Sequence, residues 1–221
     1  MSDPTAFGVA ELARDGRVIR LEEKPEVPRR DLAVIGVYLF TSAVHTAVAA
    51  IEPSSRGELE ITDAVQWLID AGNHVRADTI DGYWKDTGNA ADMLDVNHRV
   101  LADIEPAVLG TVDDTSVVLG RVRIEPGARI IRSRIVGPAV IGAGTTVVDA
   151  CVGPSTSASE GCVISGSDVE FSIILKDAHI AGAGRIVGSL IGRSVHITGA
   201  AGTPPAHRFV LGDHSRIQLA S

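Results

Sequence analysis

A repeating pattern of aliphatic residues fills the second half of the chain and restricts its possible folds more than any other feature. Single Val, Ile or Ala residues recur six positions apart, and equivalent positions step by seventeen from Val118 to Ile135 and on to Val152. The other members of the register are Ile124, Ile130, Ile141, Val147, Ala158, Ile164, Ile174, Ile180, Ile186, Ile191 and Ile197. Self-similarity at a fixed period is typical of solenoids, in which each repeat forms one layer.

The spacing has a simple geometric meaning. Six, six and five residues make one triangular coil with three short strands, each of which points one side chain into a narrow interior. Only a medium-sized aliphatic side chain fits there in successive layers, while the corners require compact residues such as glycine. Stacked coils pair their backbone groups along the axis, so the core is continuous. The pattern predicts a parallel β-helix over residues 117–199, and its spacing resembles the hexapeptide repeat of left-handed β-helices.

A sandwich of short strands is the alternative architecture, but a sandwich would not keep a six-residue register over five successive groups. The register is interrupted at residues 168–172, where Val169 alone bridges two groups, and we expect a looser corner there. Cys151 and Cys162 lie inside the repeat and fit small core positions. They could form a disulfide, although reduced thiols are expected in a cytoplasmic protein.

The first third of the chain alternates between strand and helix patterns. Residues 7–12 and 18–21 are β-rich runs joined by an Asp-Gly pair, which predicts a hairpin. Residues 33–40 form an almost wholly apolar run, which predicts a strand buried on both faces. Residues 75–80 are a further strand candidate.

Three helices are predicted in the same part of the chain. Ser42 is a favourable N-cap for a helix that ends near residue 51. Thr62 or Asp63 starts a second helix, which Gly72 ends. Thr87 caps a third helix that runs to about residue 101. Its apolar residues at helical spacing are Met93, Val96 and Val100.

The pattern changes after Pro106, where helical spacing gives way to short apolar pairs separated by Gly, Pro, Ser and Asp. We therefore predict two domains. Residues 1–105 form an α/β domain, and residues 106–221 form an all-β left-handed parallel β-helix with a terminal strand.

The composition excludes several classes of partner. The formal net charge is −8, whereas binding to nucleic acid or to an anionic membrane requires clustered Lys and Arg. No run approaches the roughly 18 apolar residues of a membrane span, and the first residues lack the pattern of a signal peptide. We therefore expect a cytoplasmic protein without a nucleic-acid or membrane partner.

Short segments of the first part contain residues suited to chemistry. They are residues 7–11 (FGVAE), 22–25 (EEKP), 34–38 (VIGVY), 56–63 (RGELEITD) and 83–88 (YWKDTG). Each segment alone has an ordinary explanation, because charged residues are mostly exposed and aromatic residues are usually packed. Their order along the chain is therefore more informative than any one of them.

In this order, the segments resemble those of the sugar-phosphate nucleotidyltransferases, and most closely the long bacterial thymidylyltransferases that also carry a C-terminal left-handed β-helix. The resemblance covers nearly the whole chain, including the closing segment 209–215 (FVLGDHS). It implies that the first domain is the sugar-binding part of a Rossmann-like nucleotidyltransferase domain. The reaction it implies is nucleotidyl transfer from dTTP to glucose 1-phosphate, with release of pyrophosphate.

The resemblance also implies roles for individual residues. Gly8 is expected to bring its backbone close to the sugar, Glu23 to accept hydrogen bonds from sugar hydroxyls, and Lys24 to contact the sugar phosphate. Asp86 is expected to help hold the catalytic Mg²⁺. The other residues expected to line the pocket are Val34, Tyr38 and Trp84.

The sequence departs from the family in two places. Neither the Gly-rich loop that wraps the triphosphate nor the Gly-Asp-Asn element that supplies the first Mg²⁺ carboxylate is found in these 221 residues. We therefore expect weak metal and sugar 1-phosphate binding, and no nucleotidyl transfer by this chain alone. Residues 33–40 are then expected to leave an exposed apolar face, which drives self-association as a homo-oligomer or pairing with a complementing N-terminal fragment.

Two other functions stay open at this point. One is a non-catalytic β-helix module that assembles or regulates and keeps a residual sugar-phosphate pocket. The other is a hexapeptide-repeat acyltransferase, because such enzymes use a catalytic histidine and His179 and His196 lie in the coils. No CoA-binding pattern or protruding loop accompanies these histidines in the sequence.

Overall fold

The computed structural model describes residues 4–199 and 209–219, and the chain divides into two compact units, residues 1–84 and residues 85–221. The first unit contains β1 (Gly8–Leu12), β2 (Val18–Glu23), α1 (Ala43–Ala50) and α2 (Ile61–Asp70). The second unit begins with α3 (Ala90–Ala102) and continues as a parallel β-solenoid. Within the described ranges, no helix has the length and apolar character needed to cross a membrane.

The division into compact units falls between Trp84 and Lys85, so α3 groups with the solenoid. The boundary that the sequence places between residues 105 and 106 marks where the repeat pattern begins. It stays a prediction for where the chain separates into independently folding domains.

The predicted hairpin is present in the first unit. Strands β1 and β2 pair antiparallel, with Gly8 opposite Glu23. In the connection, Gly16 has a positive φ of 82°, and Asp15 Oδ1 accepts a 3.1 Å hydrogen bond from the backbone N–H of Arg17. The Asp-Gly pair thus supplies both the left-handed conformation and the side-chain acceptor that the turn requires.

Helix α2 covers the hairpin, and α1 packs on α2, through two small apolar clusters. Ala10 and Leu21 of the hairpin pack with Val65 of α2, and a second cluster joins the helices through Ala47, Ala64 and Leu68. Helix α1 begins after Ser42 as predicted, although the Ser42 side chain makes no capping hydrogen bond. Helix α2 begins one residue earlier than predicted, because Glu60 occupies the N-cap position.

The prediction of a buried strand at residues 33–40 is wrong. Only the start of this segment follows β1, through an isolated bridge between Ala33 and Val9 and a hydrogen bond from Val34 N–H to the Gly8 carbonyl. Val37 and Leu39 are 77% and 99% exposed. A strand buried on both faces needs neighbours along both edges, and no described strand pairs with the rest of the segment.

Two other sequence predictions require correction. Residues 75–80 form no strand, and only Arg76 makes an isolated bridge, to Arg17. Helix α3 is capped by Asn89 rather than Thr87, since Asn89 Oδ1 accepts a 3.0 Å hydrogen bond from the Asp92 N–H. The buried residue of α3 is Leu101. Two of the three residues at the predicted apolar spacing are exposed, namely Met93 and Val100.

The solenoid is built from short parallel strands arranged as the repeat predicts. Its strands are β3 (Ala107–Val108), β4 (Thr111–Val112), β5 (Val117–Leu119), β6 (Val122–Ile124), β7 (Arg129–Ile131), β8 (Arg134–Val136), β9 (Ala139–Ile141), β10 (Thr146–Val148), β11 (Cys151–Val152), β12 (Thr156–Ala158), β13 (Val163–Glu170), β14 (Ile173–Ile174), β15 (His179–Val187), β16 (Leu190–Ile191), β17 (His196–Gly199), β18 (Val210–Leu211) and β19 (Arg216–Leu219). One sheet has the order β18-β16-β14-β12-β9-β6-β3, and the other has the order β19-β17-β15-β13-β10-β7-β4 with β5, β8 and β11 beside it.

The inward residues form three vertical columns, and the predicted members are confirmed. From Ile124 onward, every residue of the predicted register is at most 1% exposed, while Val118 in the first coils is partly buried. Pairing extends the solenoid beyond the predicted range, from β3 to β19. Described residues outside the register that also pack on this core are Val112, Phe209, Leu211 and Ile217.

The expected loose corner at residues 168–172 is not observed. Val169 is 1% exposed and stacks between Val152 and Ile186 as an ordinary column member. Ser172 is fully buried, and its hydroxyl accepts a 3.1 Å hydrogen bond from the N–H of Ser189. The change in spacing is absorbed instead by a register shift where β13 pairs with β15. The coil is therefore one residue shorter locally without losing a core side chain.

Two features of the corners explain the glycine content. One corner line has positive φ in six coils after the first, and its occupants are Gly127, Gly144, Gly161, Asp177, Ser194 and His214. At another line the backbones touch, since a Cβ on Gly142 would lie 2.4 Å from the carbonyl carbon of Ser159. Glycine avoids a conformational penalty in the first case and a collision in the second. The two cysteines are free thiols, with Cys162 buried and Cys151 half-buried.

Candidate functional site

The candidate site lies where the ends of the hairpin meet α2. Gly8 and Glu23 face each other across the two strands. A Cβ atom on Gly8 would lie 2.7 Å from Thr62 Cγ2, 3.2 Å from Glu23 Oε2 and 3.7 Å from Val34 Cγ2. Four residues from four of the singled-out segments thus converge on one point, and only glycine fits because its neighbours already fill the position of a Cβ atom.

The Glu23 carboxylate is held on both oxygens. Its Oε2 accepts a 3.0 Å hydrogen bond from the Thr62 hydroxyl, and its Oε1 lies 3.7 Å from an Arg56 guanidinium nitrogen. The Glu23 side chain is 21% exposed, so part of it stays accessible to a ligand. A carboxylate oriented in this way can accept further hydrogen bonds from neutral hydroxyl groups.

Arg56 and Thr62 were assigned no role from the sequence, although both lie in the segment 56–63 that it singled out. Arg56 also contacts Glu58 at 2.7 Å and Glu60 at 3.4 Å. The Ser54 hydroxyl donates a 3.0 Å hydrogen bond to Glu60. One cation, Arg56, thus lies near three carboxylates, an arrangement that only the folded loop reveals.

Burial raises the pKa of two further groups at the site, Asp63 and Tyr38. The pKa of Asp63 is raised, first by burial and then by the charge of Glu60. The pKa of Tyr38 is also raised, mainly by burial and additionally by the negative charge of Glu23. Tyr38 therefore keeps its O–H proton at neutral pH and can act as a donor near the Glu23 carboxylate. Its ring stacks on Phe40 with the centroids 5.6 Å apart.

The two remaining predicted pocket residues of the first unit lie beside Phe7. The Trp84 ring meets the Phe7 ring edge-to-face at 5.3 Å. Lys24 ends β2 with a positive φ of 40°, and its N–H donates a 3.0 Å hydrogen bond to the Phe7 carbonyl. Because Phe7 precedes Gly8 directly, both residues are attached to the same end of the hairpin.

Asp86 belongs to the second compact unit, and its side chain is exposed. In the parts of the chain that the structure describes, no group of three or more His, Cys, Asp or Glu residues is placed to hold a metal ion. Mg²⁺ takes hard oxygen ligands and is commonly held by one or two carboxylates together with substrate phosphates. Asp86 therefore fits Mg²⁺ only as a single protein donor, with phosphate oxygens as further ligands.

The histidines considered for acyl transfer lie on an outer face of the solenoid. His179 and His196 are neighbours on β15 and β17, and their exposed rings stack with centroids 4.9 Å apart. His196 Nδ1 is 3.1 Å from the Ser194 carbonyl. These contacts describe a surface pair and add no feature specific to acyl transfer.

Comparison with known proteins assigns the first part of the chain. The profile of the family described as "Nucleotidyl transferase" matches residues 1–103. The N-terminal part of the chain is thus similar to the nucleotidyl transferase family. The match contains every predicted site residue from Gly8 to Asp86, while their individual roles stay predictions.

Similarity to individual nucleotidyl transferases extends over the whole chain. A glucose-1-phosphate thymidylyltransferase of Streptomyces antibioticus is 58% identical over 221 residues, which are 100% of this chain and 62% of that protein. One from Streptomyces griseus is 59% identical over 219 residues, 99% of this chain and 62% of its own length. A low-salt glycan biosynthesis nucleotidyltransferase of Haloferax volcanii is 38% identical over 222 residues, with coverage of 99% and 62%. The chain thus spans less than two thirds of each of these relatives.

Proposed function

We propose that the first unit is the sugar 1-phosphate side of a nucleotidyl transferase site, serving transfer from dTTP to glucose 1-phosphate. The observation that carries this proposal is the Glu23 carboxylate, which Thr62 and Arg56 hold in place while 21% of the side chain stays exposed. The names of the two Streptomyces relatives support glucose 1-phosphate and a thymidylyl group as the substrates.

Each residue has a physical role in this proposal. Glu23 accepts hydrogen bonds from paired sugar hydroxyls, and the backbone of Gly8, which lies opposite Glu23 in the hairpin, approaches the sugar. Lys24 orients the sugar phosphate without being consumed, because an ammonium group at neutral pH is a stable point charge. The residues that border the sugar and its phosphate are Val34, Tyr38 and Trp84.

In the proposed reaction, an oxygen of the sugar phosphate forms a bond to the α-phosphorus of dTTP. The bond from that phosphorus to the β-phosphate oxygen breaks, and pyrophosphate leaves. Mg²⁺, when bound, would neutralise charge on the phosphates, and Asp86 would be its protein ligand. The chain's own contribution is mainly to hold the attacking phosphate and the sugar in one orientation.

These 221 residues contain no Gly-rich triphosphate loop and offer one candidate Mg²⁺ carboxylate in the family pattern. The proposal is therefore restricted to sugar 1-phosphate binding for this chain alone, with nucleotidyl transfer requiring further groups. The exposed Val37 and Leu39 favour pairing of this face with a complementing segment or with a second copy. Analytical ultracentrifugation of the wild type and of Leu39→Asp tests whether this face pairs with a second copy of the chain. Sedimentation of both proteins as monomers would contradict such pairing.

Calorimetric titration with glucose 1-phosphate tests the binding role. Glu23→Gln should weaken binding by roughly tenfold or more, because a hydrogen bond to a charged group contributes about 1.5–3 kcal/mol. Glu22→Gln is the matched control, since Glu22 pairs with Arg20 at 3.0 Å. Unchanged affinity in Glu23→Gln, or equal loss in both variants, would contradict the proposal. Absence of binding in the wild type would contradict both this proposal and the assembly module with a residual sugar-phosphate pocket.

A further inference from the structure

We infer that the solenoid positions Asp86 through α3, with Lys85, Asn97 and His98 as positioning residues. This inference rests on the proposed function only in assigning Asp86 to the phosphate and metal side of the site. The contacts themselves lie within one compact unit, residues 85–221, and run from a corner of the solenoid to the segment that carries Asp86.

The first link ties the Asp86 segment to the start of α3. Lys85 Nζ lies 2.8 Å from Asp92 Oδ1 and 3.3 Å from Asp95 Oδ2. Asp92 is also fixed by Asn89, whose side-chain amide donates a 2.5 Å hydrogen bond to Asp92 Oδ2. Lys85 is thus clamped between two carboxylates of the first helical turns, one residue before Asp86.

The second link ties α3 to the solenoid at a single residue. Asn97 Nδ2 donates a 2.9 Å hydrogen bond to the Ser155 carbonyl, and His98 Nδ1 is 2.6 Å from the Ser155 hydroxyl. The His98 ring also stacks on Phe171 of the next coil, with the centroids 5.9 Å apart. Asn97 and His98, consecutive residues of α3, therefore contact the backbone carbonyl and the side-chain hydroxyl of Ser155, respectively.

The corner at Ser155 is part of the rigid core of the solenoid. Ser155 is 2% exposed and has a positive φ of 59°, and its N–H donates a 2.7 Å hydrogen bond to the Pro138 carbonyl of the preceding coil. The core residues on either side of it, Val152 and Ala158, are at most 1% exposed. A corner embedded in a continuous core moves as part of that core, so it is a fixed reference point for α3.

At the other end of this chain of contacts, the exposed carboxylate of Asp86 lies on the short connection that precedes α3. A Cβ on Gly88 would lie 3.3 Å from Asp86 Oδ2, so the Asp86 side chain lies over Gly88. Residues 85–89 precede α3 without regular structure of their own. Holding both Lys85 and the helix reduces the conformational freedom that such a segment would have to lose when it meets a ligand.

Backbone ¹⁵N relaxation of the unliganded chain tests the first link. Lys85→Met should lower the heteronuclear NOE of residues 86–89, since two exposed ion pairs that hold this segment are lost, and Lys85→Arg should restore most of it. Lys176→Met is the matched control, because it removes the 2.5 Å ion pair between Lys176 and Glu160 on the solenoid. An unchanged NOE in Lys85→Met, or failure of arginine to restore it, would overturn the inference.

A second variant tests the anchor on the corner. Asn97→Ala combined with His98→Ala should raise the hydrogen exchange of α3 and lower the heteronuclear NOE of residues 86–89, while the solenoid strands keep their exchange protection. Faster exchange in α3 with an unchanged NOE at residues 86–89 would overturn the inference, because the path would then end before Asp86. No sugar phosphate or metal is present in these measurements, so their outcome is separate from that of the glucose 1-phosphate titration.

Discussion

The two compact units bury their apolar residues in different ways. In the solenoid, one cluster runs through successive coils, and from Ile124 to Ile197 the column residues are at most 1% exposed. In the first unit the two core clusters have three buried residues each, one around Val65 and one around Leu68, and Leu39 is 99% exposed. The comparison shows that a repeat builds its own core layer by layer, whereas the first unit depends on a few long-range contacts.

The same difference separates the roles of the two regions. The candidate sugar site uses loop and strand-end residues such as Glu23 and Arg56, which remain partly exposed and available to a ligand. The solenoid supplies a fixed corner at Ser155 from which α3 is held. Binding groups commonly lie on such loops, with rigid elements as their support.

The largest effect is expected from truncating matched aliphatic residues in the two regions. Ile164 is fully buried, so Ile164→Ala should destabilise the solenoid by roughly 2–5 kcal/mol through lost burial and a residual cavity. Leu39 is 99% exposed, and Leu39→Ala should change stability by less than about 0.5 kcal/mol. Chemical denaturation measures both changes. Similar effects at the two positions would break the comparison.

An intermediate effect is expected at two neighbouring corner glycines. Gly142→Ala places a methyl group 2.4 Å from backbone atoms of the next coil and should cost about 3 kcal/mol. Gly144→Ala meets nothing within 4 Å and has only its positive φ of 68° to oppose it, so about 1–2 kcal/mol is expected. Thermal melts compare the two variants. A larger loss of stability in Gly144→Ala than in Gly142→Ala would show that the close backbone contact between coils at Gly142 is not the stricter constraint.

The smallest effect concerns a surface corner. Asp113 accepts hydrogen bonds from the Ser116 hydroxyl and the Arg132 N–H, which lower its pKa from 3.8 to about 2. Since the folded-state pKa is depressed, its stabilisation is present above about pH 4 and is lost as the pH falls towards 2. Melting temperatures of Asp113→Asn should therefore fall less over this range than those of the wild type. Parallel pH profiles would show that this corner contributes nothing.

Much of the solenoid could be predicted because its information is local and repeated. Each inward residue, such as Ile141, has equivalents one coil away. The register therefore continues on both sides of the shorter coil near Val169, where a looser corner is predicted and is not observed. Strands β18 and β19 are harder to predict from the repeat. Their distance along the chain from β16 and β17 differs from the seventeen-residue step of the earlier coils.

The first unit was less predictable for a physical reason. Residues 33–40 have the composition of a buried strand, but composition does not reveal whether neighbouring strands are there to bury it. The order of the motifs along the chain predicts the candidate site, and the structure places Gly8, Glu23 and Val34 close together, while their roles stay predictions. The roles of Arg56 and Thr62 depend on the fold of a loop, which no periodicity encodes.

The most direct test of the proposed division of labour is to titrate one sample of these 221 residues with glucose 1-phosphate and, separately, with dTTP in the presence of Mg²⁺. We expect glucose 1-phosphate to bind and to perturb the resonances of Gly8, Val34 and Tyr38, while dTTP produces no comparable change and no pyrophosphate is released from the two together. Binding of dTTP as tight as that of glucose 1-phosphate, or release of pyrophosphate at the rate of a full-length relative, would contradict the account.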